Sequence, residues 1–407
     1  MKLIEGGVTA AKGFFAAFAA AKIKYEGRND MALIYSQVPC KTAGTFTTNV
    51  VKAAPVQWDQ KIVASKIKSQ AVIVNSGIAN ACTGTKGMEY CEETAKKAAK
   101  ELNIDGQGVL IGSTGVIGMQ LPMENIKEGI EKLALSKDNT LEVGTLAAKA
   151  IMTTDTKEKE VAVQIQIGGK TVTIGGMAKG SGMIHPNMCT MLSYITTDAC
   201  ITKKALQQAL SEDVEDTYNM ISVDGDTSTN DTVLLLANGL AENPKIHCHT
   251  EEYEQFAKAL HTVNEILAKK IAGDGEGATA LLEVKVVHGA SKEQAKRLAK
   301  SVVCSNLTKT ALAGHDANWG RILCAMGYAG VDFDPEQVNL WIESREGKLQ
   351  LIEQGVAVDY SEAYATQILS ASEVTVIADL KEGGEEAMAW GCDLTHRYIE
   401  INADYRS

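Results

Sequence analysis

The sequence predicts a layered α/β protein with mixed sheets, and three observations carry that prediction. Strand-like and helix-like segments alternate irregularly, which does not suit a single parallel doubly-wound sheet. The stretch VAVQIQIGGKTVTIGGMAKG (161–180) alternates on both sides of a Gly-Gly-Lys turn and reads as an antiparallel hairpin. The chain has 407 residues, more than one core usually serves, so two or three subdomains are expected.

Taken in order, residues 1–75 read as short strands with turns: MALIYS, AGTFTTN and QAVIVNSG, punctuated by Gly and Asn. Residues 88–102 (MEYCEETAKKAAKEL) have helical amphipathic spacing. QGVLIGSTGVIG (107–118) reads as a buried strand opening into a glycine turn, and 122–134 and 139–151 read as helices. The hairpin follows. KKALQQALSEDVEDTYNMI (203–221) and about 250–272 read as helices flanking the strand TVLLLANG. GATALLEVKVVHGA (277–290) is a strand leading to a helix from about 291. Beyond Gly330 the chain returns to strands: QVNLWIES, LQLIEQGVAV and EVTVIADL.

Composition sets outer limits. Apolar residues make up 45% and charged residues 22%, a globular balance. The net charge of −11 argues against nucleic acid or an anionic membrane as partner. Nine scattered cysteines without a CxxC pair point to reduced thiols and a cytoplasmic protein. No run of about 18 apolar residues is present to span a membrane. GFFAAFAAA imitates a signal peptide, but Glu5 and the flanking Lys12 and Lys22 speak against that reading.

Several segments offer chemistry. GSTGVIG (112–118) can present backbone N–H groups to an anion or oxyanion, or be an ordinary strand-to-helix turn. GDGEGAT (273–279) places Asp274 and Glu276 among glycines, as a ligand site or as solvated acids in a turn. HCH (247–249) has poor spacing for zinc, and Pro186 breaks the helix that a His185–Cys189 pair would need, so no metal site is expected. MTTDT (152–156), TTDA (196–199) and STNDT (228–232) are cap-like clusters of hydroxyls and carboxylates. In KGSGMIHPNMCTMLSYITTDA (179–199), Thr190 follows a glycine-containing loop near the middle of the chain. A threonine hydroxyl needs a base, and cutting the chain before it would supply its own α-amine.

Ten of these pieces, in order, resemble the ornithine acetyltransferase (glutamate N-acetyltransferase) family of arginine biosynthesis. They are GTFTTNVVKAAPV, NSGIANACTG, IGSTGVIG, MTTDT, GGMAKGSGMIHPN, TMLSYITTDA, SVDGDTSTNDT, GDGEGAT, KTALAGHDANWGRIL and INADYRS. The resemblance covers essentially the whole chain. It implies a DmpA/ornithine acetyltransferase-like sandwich with a smaller C-terminal α/β subdomain. It also makes the Lys12 region part of a folded N-terminal hairpin.

The resemblance further implies self-cleavage between Cys189 and Thr190, with residues 180–187 as the loop that bends for it. The α chain would be 1–189 and the β chain 190–407, with a subdomain over about 284–390 and 391–407 returning to the site. The family usually has Ala before the cut; Cys189 is a departure, small enough for the role. Thr190 would be the nucleophile, and the Thr114 side chain and Gly115 N–H the oxyanion hole. Thr153, Lys179, Thr190, Glu276, Asn402 and Ser407 would contact substrate. The reaction implied is ping-pong acetyl transfer from N2-acetylornithine to glutamate, without cofactor, in a cytoplasmic α2β2 assembly. Whether acetyl-CoA also serves as donor stays open, as do two rivals: an N-terminal-nucleophile amidohydrolase or aminopeptidase of the same fold, and an uncleaved, non-enzymatic binding homologue.

Overall fold

A computed structural model describes residues 1–185 and 191–403. They form two compact units. The first holds residues 1–180, the described part of 186–218, and 227–267; the second holds 181–185, 219–226 and the described part of 268–407.

The first unit is built on a nine-stranded mixed sheet. Its strands are β1 (Lys2–Ile4), β2 (Phe14–Ala19), β3 (Met31–Phe46), β4 (Ser69–Ile78), β5 (Val109–Val116), β6 (Lys159–Ile167), β7 (Lys170–Lys179), β8 (Leu192–Thr197) and β9 (Thr232–Ala237). The order is β1-β6-β7-β8-β9-β3-β4-β5, with β2 added to β3. The pairs β4–β5 and β8–β9 are parallel and the rest antiparallel. The apolar run Phe14–Ala19 that imitates a signal peptide is strand β2.

Strand β3 explains why this sheet is a sandwich. The sequence reads MALIYS and AGTFTTN as two strands, but the structure joins them into one of 16 residues. Its first half pairs with β4 and its second half with β9, and the β4 register shifts between Tyr35 and Cys40. Pro39, lacking an N–H, stands at that irregularity. The two halves then face each other. Ala32, Ile34, Val72, Val74 and Leu110 share a core with Leu192, Tyr194, Leu234 and Leu236. The intervening Leu33, Ala71, Ile73, Val109 and Ile111 point the other way, onto helices Lys86–Leu102 and Met123–Ser136. Both faces are covered, which is why these strands are apolar at almost every position. Each fully buried Leu, Ile or Val there stabilises by about 1.5–3 kcal/mol.

One helix was not expected among the first 75 residues. Ala54–Ala64 is helical, with Pro55 in its first turn and Val56, Asp59 and Val63 buried on one face. Proline suits that position because its missing N–H would have no intrahelical partner.

The second unit carries a six-stranded sheet of β10 (Leu281–Gly289), β11 (Asn339–Ser344), β12 (Gly347–Glu353), β13 (Val356–Ala357), β14 (Glu373–Asp379) and β15 (Glu385–Cys392). The order is β13-β12-β11-β14-β10-β15, and only β10–β14 is parallel. Along β10, Val284 and Val286 are buried while Glu283 and Lys285 are half-exposed, the alternation of a sheet covered on one face. Helix Lys292–Cys304 packs on β10 and β15 through Ala295, Leu298, Ala299, Val302 and Val303. Ser291 caps it by accepting from Gln294 N. LQLIEQGVAV, expected as one strand, is the hairpin β12–β13. Gln354 and Gly355 both have positive φ (46° and 75°), as a type I′ turn requires.

Candidate active site

Two clusters hold the residues singled out from the sequence, one in each unit. The first gathers Thr114, Thr153 and Lys179. The β6–β7 hairpin turns at Gly168 and Gly169, both with positive φ, and this sets Lys159 opposite Ala178. Lys179 is the next residue along β7, and the ammoniums of Lys159 and Lys179 both reach Asp155. Both are buried, at 1% and 7% exposure.

Lys179 Nζ donates to Thr153 Oγ1 at 2.8 Å and to Thr114 Oγ1 at 3.3 Å. It stands 3.7 Å from Asp155 Oδ2. Asp155 accepts from Lys159 Nζ at 2.7 Å, Gly180 N at 2.6 Å and Thr153 N at 3.1 Å. Burial alone would raise its pKa, but the Lys179 and Lys159 ammoniums and the Gly180 N–H hold it well below the usual carboxylate range. A buried ammonium flanked by two threonine hydroxyls is equipped to receive a carboxylate.

Thr114 and Gly115 lie within a strand, not in the glycine turn expected there. β5 continues to Val116, paired in parallel with β4 through Ser76↔Thr114 and Gly77↔Gly115. Crowding accounts for the glycines. A Cβ at Gly112 would lie 1.9 Å from the Tyr194 hydroxyl. At Gly115, whose φ is +130°, it would lie 2.2 Å from the Gly77 carbonyl carbon. No side chain fits either position.

The second cluster gathers Glu276 and Asn402. Helix Glu251–Gly273 ends at the glycine-rich turn, and Glu276 is 7% exposed rather than solvated. Its carboxylate accepts from Asn402 Nδ2 at 2.7 Å. Asn402 belongs to helix His396–Ala403, which Thr395 fastens to the same turn by donating to Gly277 O at 2.7 Å. Glu276 N donates to Ser181 O at 2.9 Å, and Gly182 leaves room for the carboxylate: a Cβ there would lie 2.4 Å from it.

Residues 181–185 are held on several sides. Ser181 Oγ donates to Asp274 O, and Met183 N and Ile184 N donate to the two Asp224 oxygens at 2.5 and 2.8 Å. His185, read beside Cys189 in the sequence, meets Ser222 Oγ at 3.1 Å and Cys304 Sγ at 3.5 Å. Burial, helped by the Lys300 charge, pulls the His185 pKa down to about 4, and burial pulls Lys300 down to about 8. Cys189, Thr190 and Ser407 lie outside the described residues. Among the described residues no group of three or more His, Cys, Asp or Glu could hold a metal ion, and no helix is long and apolar enough to cross a membrane.

Sequence reasoning passed over Asp155, reading MTTDT by itself only as a cap-like cluster, and Asp224, which entered only within the stretch SVDGDTSTNDT. Thr196 and Thr197 do act structurally, donating to Val8 O and Thr173 O at 2.8 Å. A signal for Asp155 was present. The hairpin folds Lys179 back towards the segment that carries Asp155 and Lys159, and buried lysines need a counter-charge.

The model of the ArgJ family matches residues 15–407. The chain is 51% identical over 399 residues to the arginine biosynthesis bifunctional protein ArgJ of Thermotoga neapolitana, covering 97% of this chain and 99% of that protein. It is 49% identical over 407 residues to the protein of the same name from Caldanaerobacter subterraneus subsp. tengcongensis, covering all of both. A crystal structure of arginine biosynthesis bifunctional protein ArgJ from Bacillus halodurans matches with a TM-score of 0.50 at 46% identity, over 53% of this chain and 99% of that chain.

Proposed function

The chain belongs to the ArgJ family, and on that premise we propose that it is a glutamate N-acetyltransferase of arginine biosynthesis. It moves acetyl from N2-acetyl-L-ornithine to L-glutamate. The observation that carries this reading is identity of about half to relatives named as bifunctional arginine biosynthesis proteins, across nearly the full length of both chains. Those relatives are named bifunctional, and the second activity to test for in this chain is glutamate acetylation from acetyl-CoA.

Maturation comes first. Thr190 Oγ attacks the Cys189 carbonyl, the acyl group shifts from nitrogen to oxygen, and water hydrolyses the ester. This leaves an α chain of residues 1–189 and a β chain from 190, working as α2β2 in the cytoplasm. The new α-amine, with an ordinary pKa of about 7.7–8.0, takes the proton of its own hydroxyl.

Thr190 Oγ then attacks the acetyl carbonyl of acetylornithine. The Thr114 hydroxyl and Gly115 N–H are assigned to the developing oxyanion, a role in which each donor contributes strongly. The C–N bond breaks, the threonine α-ammonium returns its proton to the departing amine, and ornithine leaves. Glutamate's α-amine attacks the acetyl-threonine ester and regenerates the hydroxyl. Both substrates carry an α-carboxylate, which Lys179 and Thr153 are suited to receive. Glu276, Asn402 and Ser407 are assigned to the tail, whose charge differs between the two.

Intact mass and N-terminal sequencing test the core. The expected result is two chains, the second beginning Thr-Met-Leu-Ser, and Thr190→Ala should abolish both cleavage and transfer. A single full-length chain would favour the binding homologue. Acetate release from acetylornithine without transfer to glutamate would favour the amidohydrolase. Glutamate acetylation from acetyl-CoA alone decides the second donor.

A further inference from the structure

We propose that Asp155 and Lys159 are positioning residues: together they hold the Lys179 ammonium off its nearest carboxylate and aimed at Thr114 and Thr153. The inference rests on the reading above, in which Lys179 receives the substrate carboxylate, and adds two residues that do not themselves touch substrate.

Two kinds of acceptor compete for the Lys179 ammonium. A buried lysine beside a buried carboxylate closes to hydrogen-bond distance unless something prevents it, because Coulomb attraction rises as the local dielectric falls. Lys179 and Asp155 are both buried, yet their charged atoms are 3.7 Å apart. The reason is occupancy. Oδ1 of Asp155 already accepts Lys159 Nζ and Gly180 N, at 2.7 and 2.6 Å, and Oδ2 accepts Thr153 N at 3.1 Å. Three shorter bonds take three of the carboxylate's roughly four acceptor sites, and Lys179 keeps only a longer-range attraction, 3.7 Å from Oδ2. Its N–H groups go instead to Thr153 Oγ1 and Thr114 Oγ1.

The same carboxylate fixes where those acceptors stand. By taking Thr153 N it pins the residue that receives Lys179, and by taking Gly180 N it pins the backbone just beyond Lys179. Lys159 is the element that makes this possible. Only with an ammonium firmly on Oδ1 does Asp155 tolerate a second ammonium without capturing it. An ammonium bound tightly to an internal carboxylate would be a poor receptor for a substrate carboxylate. One held by hydroxyls alone can exchange them for the ligand at small cost.

The informative variant is Lys159→Met, which leaves Asp155 and Lys179 as a balanced buried pair and so should fold. Lys179 is expected to close onto Asp155 and withdraw from Thr114. KM for both acetylornithine and glutamate should then rise roughly tenfold, the scale of one charge-assisted hydrogen bond, with kcat changed much less. Lys159→Arg restores a cation and should return KM toward wild type, a rescue that mere packing at this position would not give. Wild-type KM values in an active Lys159→Met enzyme would overturn the proposal. Absence of acetyl transfer in the unmutated protein would break the functional reading instead. A crystal structure of Lys159→Met then decides the positioning claim by itself: a Lys179 Nζ that stays beyond hydrogen-bond distance of both Asp155 oxygens, near the present 3.7 Å from Oδ2, with the threonine bonds intact, refutes it.

Discussion

The two clusters each bury a carboxylate, and they hold it in opposite ways. Asp155 sits among two ammoniums and two backbone N–H groups. Glu276 takes its side-chain hydrogen bond from a neutral amide, Asn402, and its place is shaped by a missing side chain at Gly182. A carboxylate held by three fixed donors acts as scaffold. One held by a single amide near a helix end keeps acceptor capacity for a ligand. Burial by itself therefore does not mark a binding residue; the number and permanence of its donors does.

The largest effect is expected from neutralising the Asp155 carboxylate itself. Asp155→Asn removes the charge that two buried ammoniums share, and should cost about 3–5 kcal/mol in urea unfolding. The pH dependence follows from the same pair. Asp155 has a folded pKa below its unfolded value of about 3.9, so its stabilisation is complete above that pH and fades as pH falls below it. The variant should lose that part of the acid transition. A cost below about 1 kcal/mol would show that the network contributes little and that Asp155 is not the scaffold described.

In the second unit, Gly182→Ala should come next, at about 1–3 kcal/mol, because its Cβ would overlap a carboxylate that is only 7% exposed. The side chain can swing, so activity is the finer measure. Glu276 displaced from Asn402 should lower kcat/KM for acetylornithine more than kcat/KM for glutamate, since only ornithine's tail is cationic. Equal losses would remove the tail assignment. Asn402→Ala deletes the amide donor alone, and about 0.5–1.5 kcal/mol is expected by thermal unfolding. The ordering of these three variants is the comparison in measurable form.

Legibility in the sequence followed local period. The hairpin β6–β7, the helix Lys86–Leu102 and the long helix Glu251–Gly273 announce themselves because their spacing is set within the segment. Strand β3 does not, since its continuity across Pro39 depends on different partners, β4 and β9, on either side. The glycines of GSTG look like a turn for a similar reason. Tyr194 and Gly77, which forbid a side chain there, come from distant parts of the chain. Lys179 and Glu276 could be named from motifs that resemble a family. Asp155 could not, because its importance lies in holding the nearby Lys159 and the distant Lys179 at once, and only the hairpin brings Lys179 to it.

The smallest effect expected concerns His185, in the second unit, and it separates the two units by pH. Folding moves Asp155 and His185 in the same direction, downward, but from different starting points. His185 is ordinarily near 6.5 and is pulled to about 4 by burial and by Lys300, against the opposing pull of Asp226. The fold therefore favours the neutral imidazole. Its contribution is complete above about pH 6.5 and is lost as pH falls from there towards 4, before Asp155 begins to titrate. The imidazole is only partly buried, so solvent screens the effect and a modest slope is expected. His185→Asn should flatten the unfolding midpoint between pH 6.5 and 4 while leaving the fall below pH 4 in place. If the variant and the wild type instead lose stability in parallel from pH 6.5 downward, the early acid sensitivity belongs to another group, and the Ser222–His185–Cys304 contacts only pack the loop.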